Sequence, residues 1–134
     1  NQAEVPAGIV VEASVTYNVS EKTTVSLDYR RATGISVDSP GLSYESDHVG
    51  FRVFQAIGPG GRWVASLGGS YETNEYNVAK RLDTLYMINL GLAYQVQTWL
   101  SAGLAYELEK FNSDILQLQD YDVHRITARL AIGY

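Results

Sequence analysis

Cysteine is absent from the 134 residues, which excludes disulfides, thiolate metal sites and a cysteine nucleophile together. Histidine is scarce: His48 and His124 leave little for a histidine-based metal centre, and no cofactor is implied. Lys and Arg number 10 against 15 Asp and Glu, so a net charge of −5 gives no electrostatic footprint for nucleic acid, which usually needs a clustered basic face. Long apolar runs are missing too. The longest are only a few residues, as in Ile9-Val10-Val11, so no transmembrane helix is encoded, although β-strands that cross a bilayer carry a much weaker hydropathy signal. The opening Asn1-Gln2-Ala3-Glu4-Val5-Pro6 lacks the basic and apolar regions of a signal peptide. The length suits one domain or one piece of a larger one.

What the chain has in quantity is tyrosine, 10 residues with 2 Trp against 3 Phe. Tyr and Trp pair an apolar body with a polar tip and concentrate at membrane–water interfaces. It also has alternation nearly everywhere, and a period of two with one polar face predicts β-strands. Val11, Ala13, Val15, Tyr17 and Val19 alternate with Glu12, Ser14, Thr16 and Asn18. Val25, Leu27 and Tyr29 oppose Ser26, Asp28 and Arg30, and Val49, Phe51 and Val53 oppose His48, Gly50 and Arg52. Further strands carry Trp63 to Tyr71, Tyr86 to Tyr94, Leu100 to Leu108 and Ile126 to Tyr134 on their apolar faces. Seven strands result. Short turns follow the first, third and fifth, among them Ser20-Glu21-Lys22-Thr23 and Gly58-Pro59-Gly60-Gly61. Residues 31–47, 72–82 and 109–120 read as long polar loops, with Ile115, Leu116 and Leu118 able to extend a hairpin above the last. Short turns on one side and long loops on the other are how bacterial outer-membrane barrels are built. The predicted fold is therefore all-β, an antiparallel up-and-down transmembrane barrel in the outer membrane.

Two features separate this from a soluble barrel. The less apolar face mixes Gly, Ala, Ser, Thr and Asn with few charges, which suits a lumen better than a solubilising outer surface. Its charged members are Glu12, Asp28, Arg30, Arg52, Glu107, Arg125 and Arg129. On the apolar face the aromatics gather at the ends: Tyr17, Trp63, Tyr94 and Tyr134 toward the short turns, Tyr29, Tyr71, Tyr86 and Tyr106 toward the long loops. Two aromatic girdles around an apolar band fit the two lipid interfaces. Placing Trp99 opposite Gly133 sets Glu107 opposite Arg125, a cross-strand pair that would satisfy two inward charges. The arginines could line a path for an anionic or sugar solute, and Tyr44, Tyr76 and Tyr121 could stack on sugars.

The final alternation Ile126, Ala128, Leu130, Ile132, Tyr134 ends on an aromatic residue and resembles the C-terminal strand signature of outer-membrane barrels, which the assembly machinery is thought to recognise; Phe is the usual last residue. Strand parity starts the first strand on the long-loop side, and seven strands cannot close a bilayer barrel without costly unpaired edges. The expectation is the C-terminal part of a longer barrel.

The segments Tyr17 to Leu27 and Leu90 to Tyr106, with Asp120-Tyr121-Asp122-Val123-His124-Arg125 before the last strand, resemble the β-barrel porins found with exopolysaccharide gene clusters. The resemblance implies passage of polysaccharide or another solute through the outer membrane, and brings no catalytic residues. A Ser66/His48 pair is the one candidate for catalysis, weak in so serine-rich a chain. Partners expected are outer-membrane lipid, the assembly machinery, and further strands of the same barrel or a periplasmic protein; nucleic acid is not among them. Two alternatives remain at this stage: a structural barrel anchoring or sheathing a partner such as an electron carrier, and a soluble ligand-binding barrel resembling lipocalins.

Overall fold

A computed structural model describes residues 9–35, 43–76, 81–114 and 120–133. Seven strands follow one another along the chain: β1 (Val11–Ser20), β2 (Thr23–Ile35), β3 (Ser43–Ile57), β4 (Trp63–Tyr76), β5 (Arg81–Gln97), β6 (Leu100–Ser113) and β7 (Tyr121–Ile132). Each pairs antiparallel with the next, so the sheet is a single meander in sequence order. The strands β1 and β7 are its edges, and the sheet is not closed.

Local chemistry explains the short connections. At the β1–β2 turn the Ser20 hydroxyl accepts from the Lys22 backbone N–H at 3.2 Å and donates to Thr23 Oγ1 at 3.0 Å. Between β3 and β4, Gly58, Gly60 and Gly61 take φ values of 80, 72 and 61°, a region open to glycine at no steric cost. Beyond the β5–β6 turn, the Gly133 N–H donates to the Trp99 carbonyl at 2.9 Å and fixes the β6–β7 register. Register shifts at Asn18/Ser20 and Gln95/Gln97 both fall beside short turns, where a bulge tightens the local twist.

The long-loop side corrects the sequence reading. The strands β2 and β3 continue to Ile35 and from Ser43, β4 and β5 to Tyr76 and from Arg81, and β6 and β7 to Ser113 and from Tyr121. Much of what read as loop at 31–47, 72–82 and 109–120 is therefore paired strand. The reason is that alternation of hydrophobicity fades once both faces are polar, while the backbone ladder continues on cross-strand polar pairs. Arg31 bonds to Glu45, Tyr29 Oη donates to Asp47 Oδ1 at 2.8 Å, and Ser113 Oγ donates to Asp83 Oδ1 at 2.6 Å. The stretch Asp120 to Arg125 likewise lies mostly within β7 rather than before it. Residues 115–119, with the suggested hairpin of Ile115, Leu116 and Leu118, lie outside the described residues, as does Tyr134.

No hydrophobic residue is buried among the described ones. The accessible surface is 10104 Å², against about 7,000 Å² for a compact monomer of this mass. The chain makes a wall, not a globule.

Candidate functional site

Directly opposed residues in an antiparallel sheet share a face. One face runs through Val15, Leu27, Phe51, Leu67, Leu90 and Leu104; the other through Thr16, Ser26, Arg52, Gly68, Asn89, Glu107 and Arg125. On the central strands β4 and β5 the apolar face is the more exposed, with Leu67, Tyr71, Tyr86, Ile88, Leu90 and Leu92 all open. The polar residues between them, Ser66, Gly68, Ser70, Glu72, Asn89 and Gly91, are half-buried or buried. Side chains fan apart on the convex side of a curved sheet and crowd on the concave side, so the sheet curves toward its polar face. That inverts the arrangement of a soluble protein.

The apolar face is bounded by aromatics. Trp63 and Tyr94 face each other with ring centroids 4.4 Å apart, and Tyr71 and Tyr86 do so at 5.0 Å. Each pair lies on opposed residues, eight positions apart along each strand, or about 27 Å at ~3.4 Å per residue. The aromatics do not follow one hydrogen-bonded row. On the short-turn side Tyr17 lies level with Leu67, four residues along β4 from Trp63; on the long-loop side Tyr106 lies level with Leu67 too, four residues from Tyr71. The short-turn line thus slides toward the short turns between β1 and β4, whereas the long-loop line stays level through Tyr29, Tyr71 and Tyr86 and slides only at Tyr106 on β6. A slide of this kind keeps a girdle level when strands tilt, as barrel geometry requires. His124 belongs to this face as well, its Nδ1 2.8 Å from Tyr106 Oη. Ile126, Ala128, Leu130 and Ile132 also share it, along β7.

The polar face divides into two zones. Across the middle runs a belt with no apolar side chain: Thr16, Ser26, Arg52, Gly68, Asn89, Glu107 and Arg125. Arg125 donates to Glu107 across β6 and β7. Arg129 lies on the same face, opposite Gly103 and nearer the short turns. Glycines let polar side chains lie flat against this wall: a Cβ at Gly50 would fall 2.7 Å from Asp28 Oδ1, and one at Gly68 2.5 Å from Asn89 Oδ1.

Toward the long loops the same face becomes acidic and aromatic. Glu12 pairs with Arg30 at 3.1 Å. His48 sits between two carboxylates, Nε2 3.3 Å from Asp28 and Nδ1 3.5 Å from Glu72. These residues, with Tyr44 and Ser46, line a cavity of about 740 Å³. Alongside, Arg81 stacks 4.6 Å over the Tyr76 ring and bonds to Asp83, which is only 3% exposed. Tyr44 packs on Tyr76 at 5.1 Å and Phe111 stacks on Tyr121 at 5.2 Å. Beyond the apolar band, burial and a hydrogen bond to Glu109 raise the Tyr121 phenol pKa, and Glu45 and Asp47 hold the Arg31 guanidinium more firmly protonated.

Glu72, Arg81 and Glu109 were missed from sequence because they fell in segments read as loop, and Asp83 because it precedes the alternation read from Tyr86. Residues such as Thr73, Asn74 and Glu75 are polar on both faces, so hydrophobic alternation gave no signal that these strands continue. The Ser66/His48 pair does not assemble: His48 is held by Asp28 and Glu72, while Ser66 lies over Gly91, toward the short turns. Among the described residues no group of His, Asp and Glu is placed to hold a metal ion.

An antiparallel sheet with an exposed apolar convex face, aromatic borders and a polar concave face is the wall of a porin-like membrane barrel. Residues 4–134 match the family described as "Putative beta-barrel porin 2", and the chain belongs to that family. No curated protein and no solved structure matches it. Membership implies a membrane location, and porin-like barrels are generally non-enzymatic.

Proposed function

We propose that this chain forms part of a solute channel in the bacterial outer membrane, as one section of a larger barrel. The observation that carries the reading is the inverted sheet: apolar side chains outermost between two aromatic lines, polar ones on the concave side. A soluble lipocalin-like barrel needs the opposite arrangement. The strands β1 and β7 both run from the long-loop side to the short-turn side, so pairing them directly would be parallel. Antiparallel closure calls for an odd number of further strands, giving the even total usual in such barrels. Left unpaired in lipid, each edge amide or carbonyl would cost several kcal/mol.

Polysaccharide or another polyhydroxylated solute suits the polar wall. The Tyr44–Tyr76 and Phe111–Tyr121 pairs offer ring faces for sugars, and Glu12, Asp28 and Glu72 offer acceptors for hydroxyls. Partners on this reading are outer-membrane lipid around the apolar band and the assembly machinery acting on the Ile126-to-Tyr134 sequence.

Two measurements test the proposal. The outer-membrane species that yields the Ile126–Tyr134 peptide is expected to have an intact mass several times 14.8 kDa. In planar bilayers the same species is expected to conduct. A folded barrel with no conductance would favour a role in sheathing or anchoring a partner, and absence from the membrane would overturn the assignment.

A further inference from the structure

Along the strands the polar face changes sign. Toward the long loops it carries, among the described residues, five carboxylates, Glu12, Asp28, Glu72, Asp83 and Glu109, and its two described arginines there are already paired, with Glu12 and with Asp83. Asp28, Glu72 and Glu109 have no Lys or Arg partner among the described residues; His48 alone stands between the first two. In the belt and below it the balance reverses. Glu107 is matched by Arg125, whereas Arg52 and Arg129 are exposed and make no ion pair among the described residues. From the level of Arg129 to that of Glu72 is eight residues along the strands, about 27 Å at ~3.4 Å per residue. That is well over a Debye length of about 8 Å at physiological salt, so Arg129 acts apart from the carboxylates, whereas Arg52, two residues or about 7 Å from the level of Asp28, sits where the two fields meet.

We propose that the wall is an axially polarised filter, with Arg52 in the belt and Arg129 below it forming an anion-binding zone and the carboxylates a cation-attracting collar at the long-loop mouth. The inference rests on the channel reading and adds the solute's chemistry: a molecule bearing carboxylate or phosphate groups, retained at the anion-binding zone. Charged side chains lining a narrow path set selectivity through their local potential, and low-dielectric walls strengthen it. Anions arriving from the short-turn side meet the anion-binding zone first. Those arriving from the long-loop side must first cross the collar. The pathway therefore rectifies, passing anions more readily from the short-turn side.

The test uses the intact outer-membrane barrel, with heat-modifiable electrophoretic mobility as the check of folding, in planar bilayers under a potassium chloride gradient. The wild type is expected to prefer chloride and to give an asymmetric current–voltage curve. The double variant Arg52→Gln/Arg129→Gln is expected to lower the chloride-to-potassium permeability ratio by about twofold or more and to flatten the curve. Arg52→Lys/Arg129→Lys should restore both, and Arg31→Gln, on the apolar face, should change neither. Asp28→Asn/Glu72→Gln should raise the ratio. Conductance with potassium preference, or a reversal potential unmoved by the glutamine variants, would overturn this inference and leave the channel reading standing. A folded barrel without conductance would overturn both.

Discussion

On the polar face, glycine positions decide how far neighbouring side chains stand from the wall. Asn89 lies where a Cβ on Gly68 would be, 2.5 Å from its Oδ1, and Asp28 lies over Gly50 in the same way. A larger residue at Gly68 must lift the Asn89 amide away from the sheet and fill space above the belt. Gly68→Leu is therefore expected to lower single-channel conductance, and at a destabilisation no larger than the ~1–3 kcal/mol typical of overpacking, since the displaced group is the end of a flexible side chain. Recordings paired with urea unfolding check both parts; unchanged conductance would mean that Asn89 stays against the wall. The Arg125–Glu107 pair makes a weaker claim. Its side chains are 59% and 31% exposed, so Glu107→Ala should cost less than about 1 kcal/mol in the same assay.

Among the strands, what was legible in the sequence tracks where the two faces differ. Leu90 and Asn89 contrast strongly, and the period of two through β5 is plain. At Thr73, Asn74 and Glu75 the contrast vanishes, yet β4 runs on to Tyr76 because backbone pairing needs no hydrophobic face. β5 reaches 17 residues, where about 9–11 cross a bilayer, and the surplus carries the acidic collar. Of the charged residues not named from sequence, Glu72, Arg81 and Asp83 lie beyond the Tyr71–Tyr86 line and Glu109 just inside it, whereas Glu12 and Arg30, level with Glu72, were legible because their own strands still alternate there. This difference gives a depth-dependent expectation. Leu90, 47% exposed at the middle of the apolar face, should lose about 2–4 kcal/mol as Leu90→Arg. Thr73→Arg, on the same face but beyond the Tyr71–Tyr86 line, should lose about 0–1 kcal/mol, and Ser66→Arg on the polar face little. Reversible unfolding from lipid vesicles measures all three. Equal costs at positions 90 and 66 would remove the distinction between the two faces.

For the molecule as a whole, the direction of the edges is the strongest constraint. Sequence parity already placed both outer strands in the same sense, because an odd number of strands in a meander begins and ends alike. What it could not give is the slide of the aromatic lines: that depends on the register of every strand pair, and register comes from turn geometry and bulges such as those at Asn18/Ser20 and Gln95/Gln97. The sheet thus has tilt and curvature but no closure. In lipid, the amides of β1 that point away from β2 cannot remain without partners, so in the intact barrel they should be hydrogen-bonded to a neighbouring strand. Hydrogen exchange on the reconstituted protein reads this directly. Protection of residues 11–20 comparable to that of residues 63–76 in the centre of the sheet is expected. Rapid exchange confined to β1 would mean that its edge faces water, and the wall would then belong to an open or gated assembly, not a sealed barrel.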